Sequence, residues 1–189
     1  MPSYTTTTTS YTNKPICVLA TETGLRSPRG ITIDPATIKK NSQGNCYVES
    51  GAIVLRLSSG LGKIYPASKA TAATTTSSAL LTVTNIQGFE VGNVVSINGT
   101  TAVGEIASIN ADTNVITLTA NATNAVAIGD KITVASPTGT PIGIVVSVNH
   151  NLAENNDVPC YTSASVYSAR MPWWSSTIQA LFPEITLVP

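Results

Sequence analysis

The chain has little of what most active sites need. Its 189 residues include one histidine, His150, and only 11% are charged, while threonine, serine and small apolar residues dominate. Acid–base catalysis usually needs a side chain that changes its charge near neutral pH, most often a histidine, a perturbed carboxylate or a lysine. The scarcity of such groups predicts a protein that holds a surface together and is not an enzyme.

The sequence also lacks the motifs of specific catalytic and metal sites. Ser165, His150 and Asp157 can be combined on paper into a hydrolase triad, but no G-x-S-x-G motif is present and His150 lies in an asparagine-rich loop. One histidine and three dispersed cysteines do not have the spacing of metal ligands. We therefore expect no catalytic residue, metal or cofactor. The glycines of Gly60–Lys63 are explained by a tight turn and do not form a phosphate loop.

Charge and hydropathy exclude two classes of partner. Ten basic and ten acidic residues give a net charge of zero, whereas nucleic-acid binders depend on clustered lysine and arginine. No apolar run approaches the ~18 residues typical of a membrane helix. The polar start of the chain does not resemble a secretory signal. We expect no nucleic-acid partner and no membrane partner.

Three cysteines, Cys17, Cys46 and Cys160, show no paired spacing. Free thiols in a reducing cytoplasm are the predicted state. A bridge between Cys17 and Cys46 remains an alternative.

The first segment, residues 1–15, contains a run of five threonines, Thr5–Thr9. β-branched residues favour extended backbone, but no apolar face accompanies them. Such a segment is either a disordered tail or an arm that adds as a strand to a partner's sheet. We favour the arm.

Residues 16–66 show short strand patterns separated by turns. The clearest is Val48–Leu57, predicted as a single strand that ends before Ser58-Ser59-Gly60. The segment Ala67–Ser78 is rich in alanine, serine and threonine, and this composition predicts a linker.

Residues 79–136 contain a weak internal repeat. Leu81–Thr84 resembles Ile116–Thr119, and Val91–Ile97 resembles Ile128–Val134, with equivalent glycines 129 − 92 = 37 residues apart. Alternating apolar and polar residues with intervening polar turns predict a small antiparallel barrel or sandwich.

The last part of the chain predicts two strands, a helix and a terminal strand. These elements are Ile142–Val148, Val158–Tyr167, Pro172–Phe182 and Ile185–Val188. Within the helix, Trp174, Ile178 and Leu181 fall on one face.

The adjacent tryptophans are the strongest signal for a subunit contact. Neighbouring side chains on a helix point about 100° apart, so one arrangement turns Trp174 inward and Trp173 toward a partner. The alternative buries both rings in a broad core. The residues assigned to a subunit contact are Trp173, Trp174 and Phe182.

Two stretches of the chain resemble the head decoration proteins of lambda-like tailed bacteriophages. The first is Glu49–Leu55 with Gly62–Tyr65, which resembles that family's strand and G-K-y hairpin. The second resembles a series of landmarks in the same order, namely Pro141–Val145, Asp157–Pro159, the strand to Tyr167, Met171-Pro172, Ala180-Leu181 and Ile185. The chain departs from the family pattern by carrying residues 79–136 between these stretches.

The resemblance implies a mainly β fold, with a small β-barrel or sandwich core and one short C-terminal helix. The core would comprise residues 16–78 and 137–189, with residues 79–136 as an inserted antiparallel β-module. The implied function is that of a cement protein, made in the host cytoplasm, that binds the outer surface of the virion's expanded capsid and stabilises it. Its partners would be the major capsid protein and further copies of itself, with a trimer favoured and a dimer possible. The arm residues assigned to capsid contact are Tyr4, Thr6, Thr8, Tyr11 and Lys14.

A second function remains open from the sequence. The inserted β-module is also typical of an adhesion domain on a virion or cell surface. In this alternative, residues 79–136 bind a host glycan or receptor.

Overall fold

A computed structural model describes residues 25–26, 30–134, 137–145, 150–153, 156–168, 171, 174 and 176–189. The fold is mainly β with one short helix near the C-terminus, as predicted. In chain order the strands are β1 (Leu25–Arg26), β2 (Ile31–Thr32), β3 (Tyr47–Val48), β4 (Ile53–Arg56), β5 (Gly62–Ile64), β6 (Ala67–Lys69), β7 (Leu80–Thr82), β8 (Val94–Ile97), β9 (Thr101–Asn110), β10 (Val115–Leu118), β11 (Lys131–Val134), β12 (Thr140–Val145), β13 (His150–Asn151), β14 (Asp157–Val158), β15 (Cys160–Tyr167) and β16 (Ile185–Val188). A 3-10 turn spans Pro35–Thr37, and the helix α1 spans Ser176–Leu181.

The core sheet has the strand order β1-β15-β12-β4-β5, with β16 parallel to β15. Its central strands are buried on both faces. In β4, Ile53 and Leu55 pack in one hydrophobic cluster with Trp174 and Ile178, while Val54 packs in a second cluster on the opposite face. Because side chains alternate across a strand, a sheet covered on both faces needs an uninterrupted apolar run. This requirement explains the sequence Ile-Val-Leu in β4.

Two predicted strands are divided in the structure. Val48–Leu57 is interrupted by a turn at Gly51, whose φ of 90° is a left-handed conformation that favours glycine. The predicted strand Val158–Tyr167 is interrupted at Pro159, which has no N–H to donate to a neighbouring strand. As a result, β3 pairs with β13 and β14 pairs with β2, and both of these two-stranded sheets lie outside the core sheet.

The inserted module is a second six-stranded sheet, with the order β6-β11-β8-β9-β10-β7. A bridge between Ala70 and Val83 joins its two outer strands, so the sheet curls back on itself around its own hydrophobic cluster. Phe89 is the largest side chain in that cluster and is fully buried. In this curled sheet the apolar faces of the strands enclose the cluster and the polar faces point outward.

The internal repeat in the sequence corresponds to strand pairing in the module. The first repeated segments lie side by side in β7 and β10, where Leu81 pairs with Ile116. The second lie side by side in β8 and β11, where Ile97 pairs with Ile132. The two copies of the repeat thus supply neighbouring strands of one sheet.

The segment predicted as a linker is part of the module. Ala67–Lys69 forms β6, which pairs with β11 through Ala67 and Thr133, and Ala70 is buried in the module's cluster. Ser68 is also buried and shares a hydrogen bond of 3.0 Å with the Thr84 hydroxyl. Small and hydroxyl side chains therefore form part of a packed sheet, and the module begins near residue 67 instead of 79.

The helix is shorter than predicted, and of the three residues predicted on its buried face, Trp174 and Ile178 are buried in the core cluster. Ile178 is fully buried, but Leu181 is 42% exposed and does not lie on that face. Phe182, just after the end of α1, packs against Trp174 with ring centroids 5.9 Å apart. The terminal strand Ile185–Val188 forms as predicted.

Candidate functional site at the junction of core and module

The module is attached to the core by specific polar contacts. Lys63 of β5 forms an ion pair of 2.7 Å with Glu90, and only 4% of the Lys63 side chain is exposed. The Gln87 side chain accepts from the Lys39 backbone N–H at 3.1 Å and donates to its carbonyl oxygen at 2.8 Å. A buried ammonium group without its partner would carry a large desolvation cost. These contacts therefore fix the module's position on the core.

Backbone packing at the junction is equally close. Gly88 has a φ of 85°, and a Cβ added to it would overlap the carbonyl oxygen of Ile64 in the core. The Lys131 ammonium of β11 also donates a hydrogen bond to the core, to the carbonyl oxygen of Trp174. Glycine is needed at position 88 because the backbone there is left-handed and because a side chain would overlap the backbone of Ile64.

A cleft of about 880 Å³ lies between the two units. The core contributes Lys39, Asn41, Asn45, Tyr47 and Glu49 to its walls. The module contributes Asn85, Asp112 and Asn114, among others. The volume lies within the range of sites that enclose small molecules.

The walls of the cleft are braced by local hydrogen bonds. On the core side, the Asn41 side-chain oxygen accepts from the backbone N–H groups of Gln43 at 3.1 Å and Asn45 at 2.8 Å. On the module side, Asp112 Oδ1 accepts from the backbone and hydroxyl of Ser42 at 2.8 and 2.7 Å. Asparagine and aspartate favour such turns because their short side chains bond to nearby backbone. The Ser42–Asp112 contact also crosses from one unit to the other.

The titratable groups near the cleft differ in their environments. Burial raises the pKa of the Glu49 carboxyl and raises that of the Cys46 thiol to about 11. The hydrogen bonds from the backbone and hydroxyl of Ser42 lower the pKa of Asp112. At neutral pH Cys46 is therefore a protonated thiol and a weak nucleophile. The arrangement can offer hydrogen bonds to a bound molecule, with Asp112 as a charged acceptor.

The cysteines are free thiols where the structure describes them. Cys46 and Cys160 are both buried and unpaired, and burial raises the pKa of Cys160 to about 12. Cys17 lies outside the described residues.

The residues considered for a hydrolase triad lie on three different strand pairs. His150 is on β13 opposite Val48, Asp157 is on β14 opposite Thr32, and Ser165 is on β15 opposite Thr186. Among the described residues, no group of three or more histidine, cysteine or acidic side chains is placed to hold a metal ion. The Gly60–Lys63 segment begins in a hairpin turn, where the Gly60 N–H donates to the Leu57 carbonyl oxygen at 2.9 Å.

The predicted contact residues divide into two groups. The arm residues Tyr4, Thr6, Thr8, Tyr11 and Lys14 lie outside the described residues, as does Trp173.

Trp174 and Phe182 are each 5% exposed inside the core. The indole N–H of Trp174 donates to the Gln179 side chain at 2.9 Å, so its polar atom is satisfied within the chain. Trp174 thus points inward, as in one of the two predicted arrangements, and the burial leaves little of either ring for a subunit contact.

Sequence reasoning missed the cleft. The one available signal was the high density of asparagine, glutamine and aspartate in turns at 41–45, 85–87 and 110–114. Only the long-range packing of the module on the core shows that these turns face one another.

The chain matches no protein-family model, no curated protein and no solved structure. Within the described part of the chain, no helix combines the length and apolar character required to cross a bilayer.

Proposed function

We propose that this chain is a non-enzymatic decoration protein that binds the outer surface of an assembled tailed-phage capsid and stabilises it. The observation that carries the proposal is the pairing of the two stretches that resemble the decoration family. Leu55 of the first stretch pairs with Pro141 of the second, and Ile53 pairs with Ile144. Segments separated by the whole module thus form one sheet, as expected if they are two halves of a single ancestral domain.

The geometry of the insertion supports the same proposal. The first and last strands of the module, β6 and β11, are antiparallel neighbours. The module therefore leaves and re-enters the core at adjacent points. Domains inserted into an existing fold need ends that lie close together.

The proposed capsid contact is the N-terminal arm. The segment that contains Tyr4, Thr6, Thr8, Tyr11 and Lys14 leads along the chain to β1, which lies at one end of the core sheet order. An extended arm can add to the sheet of the major capsid protein through main-chain hydrogen bonds. A ligand that binds only the assembled shell stabilises it by mass action at every site it occupies.

The proposed assembly state is a homo-oligomer, with a trimer favoured by the resemblance. Trp173 remains the candidate for a subunit contact, because Trp174 and Phe182 are used inside the core. Trp173→Ala is expected to weaken self-association more than it lowers monomer stability. Sedimentation velocity at graded concentrations measures this effect, and unchanged association would count against a role for Trp173.

Co-sedimentation with expanded capsids tests the function. The full chain should pellet with capsids that lack their decoration protein, in amounts that saturate. Deletion of residues 1–13 should leave the circular dichroism spectrum unchanged and weaken binding. Failure of the full chain to bind any expanded capsid of its own phage would refute the proposal.

A second candidate is adhesion to a host surface. The observation that favours it is the cleft of about 880 Å³, whose walls come from both the module and the core. A decoration protein could present this cleft outward on the virion. Binding of a host glycan by the purified full chain, without capsids, would support this candidate.

A further inference from the structure

We propose that the cleft between core and module is a binding site for a neutral carbohydrate. The inference deepens the adhesion candidate by giving its site and ligand class. It does not rest on capsid binding. It is carried by the hydrogen-bonding groups, the exposed aromatic ring and the charge of the cleft.

Three asparagines offer pre-oriented donors. In Asn41, Asn45 and Asn85, the side-chain oxygen already accepts a hydrogen bond from within the protein, from the Asn45 backbone, the Asn151 side chain and the Gln87 backbone respectively. Their amide nitrogens donate to none of the described residues. Fixing the oxygen fixes the direction of the NH₂ group, so a ligand oxygen can bind without a further loss of side-chain freedom.

Acceptors complement these donors in the same cleft. Asp112 uses only Oδ1 for its two bonds to Ser42, which leaves Oδ2 to accept. The carboxyl group of Glu49 makes no hydrogen bond with the described residues, and burial raises its pKa. A sugar hydroxyl both donates and accepts, and it matches walls that carry both kinds of group.

Tyr47 provides an exposed aromatic surface beside these polar groups. It is 53% exposed, although its backbone is held in the β3–β13 pair opposite Asn151. A tyrosine ring on a fixed strand offers a flat apolar contact at low entropic cost. The C–H face of a pyranose ring is the complementary surface, because it is apolar while the ring's edge carries hydroxyls.

The charge of the cleft disfavours other ligand classes. Its walls contain one basic residue, Lys39, and two acidic residues, Glu49 and Asp112. Phosphorylated ligands are usually held by clustered arginine and lysine or by several aligned backbone N–H groups. The balance of donors and acceptors also disfavours a purely apolar ligand. A neutral polyhydroxylated molecule fits this cleft best.

The site requires both units. Tyr47, Asn41 and Asn45 belong to the core, whereas Asn85 and Asp112 belong to the module. The contacts of Lys63 with Glu90 and of Lys39 with Gln87 hold the walls in register. The adhesion site is therefore the junction of the two units, not the module by itself.

The test uses the purified full chain on an array of neutral and sialylated glycans, followed by titration calorimetry with the neutral glycan of highest signal. Tyr47→Ala should weaken binding by about tenfold or more, since a central aromatic contact is removed from an exposed position. Asp112→Asn retains an oxygen for the Ser42 bonds and should weaken binding severalfold by removing a charged acceptor. Val91→Ala is the matched control, because Val91 is 65% exposed on the module and does not line the cleft.

Each outcome is informative. Neutral-glycan binding that is lost in Tyr47→Ala and retained in Val91→Ala supports the proposal. No binding to any neutral glycan, binding to sialylated glycans alone, or binding that both cleft variants leave unchanged would overturn it. Because capsids are absent from the assay, its failure leaves the co-sedimentation result unaffected.

Discussion

The core and the module differ in how far apart in the sequence their paired strands lie. The module is one continuous segment, from β6 to β11, folded around its own hydrophobic cluster. The core joins β4 and β5 to β12 and β15, which lie on the far side of the module in sequence. The module's pairing is thus set within one segment, whereas the core forms only when two distant segments meet. We therefore expect the module to fold by itself and the core to depend on long-range pairing.

The largest effect should come from separating the two units. A fragment of residues 67–134 contains every strand of the module sheet and should show a cooperative thermal transition by circular dichroism. A fragment that ends at Pro66 lacks β12, which pairs with β4, and also Trp174 and Ile178, which pack on β4, so we expect this fragment to be unfolded. An unfolded module fragment, or a folded fragment 1–66, would break the comparison.

Within the module, Phe89→Ala should cost about 3–5 kcal/mol of unfolding free energy, because a fully buried ring is replaced by a cavity. Chemical denaturation of the full chain measures the loss. Val91→Ala is the control, since an exposed side chain two residues further along the chain should change stability by less than about 0.5 kcal/mol. Equal effects from the two variants would show that the module's cluster does not support its fold.

The junction between the units can be tested with two glycines of the same backbone conformation. Gly88 and Gly92 have φ values of 85° and 87°, but an added Cβ meets the core backbone only at position 88. Gly92→Ala should cost about 1 kcal/mol from backbone strain alone. Gly88→Ala should cost about 1–3 kcal/mol more, because the module must shift away from Ile64. Similar losses in the two variants would mean that the module does not pack against the core at this point.

The smallest expected effect concerns Glu49. Burial raises the pKa of this carboxyl, so its ionised form is disfavoured in the folded chain. Because the pKa of Glu49 is higher in the folded chain than in the unfolded chain, the free energy of unfolding decreases as the pH rises through the folded-state pKa. Glu49→Gln should therefore raise the melting temperature at neutral pH and leave it unchanged in acid, where the carboxyl is protonated in both states. A lower melting temperature at neutral pH would show that the carboxylate makes a favourable contact.

The sequence predicted the module better than the core for a physical reason. In the module, the alternation of apolar and polar residues and the repeated glycines are local signals, and they correspond to strands β7, β8, β10 and β11. The sequence predicted the start of the module at residue 79, too far along the chain, because Ala67–Lys69 has the composition of a linker. Only pairing with β11 identifies this segment as a strand.

In the core, the local pattern did not show where strands end. The apolar run from Val48 to Leu57 is uniform enough to hide the turn at Gly51. Similarly, Leu181 has the correct helical spacing but is replaced in the buried cluster by Phe182, after the helix ends. The cleft could not be predicted, since it depends on how two units pack.

Thermal unfolding of capsids tests the proposed function most directly. Expanded capsids that lack their decoration protein are heated with and without saturating amounts of the full chain, and the shell's melting temperature is recorded by calorimetry. Decoration predicts a higher melting temperature that rises with protein concentration until the sites are filled. A melting temperature that stays the same at every concentration would contradict it.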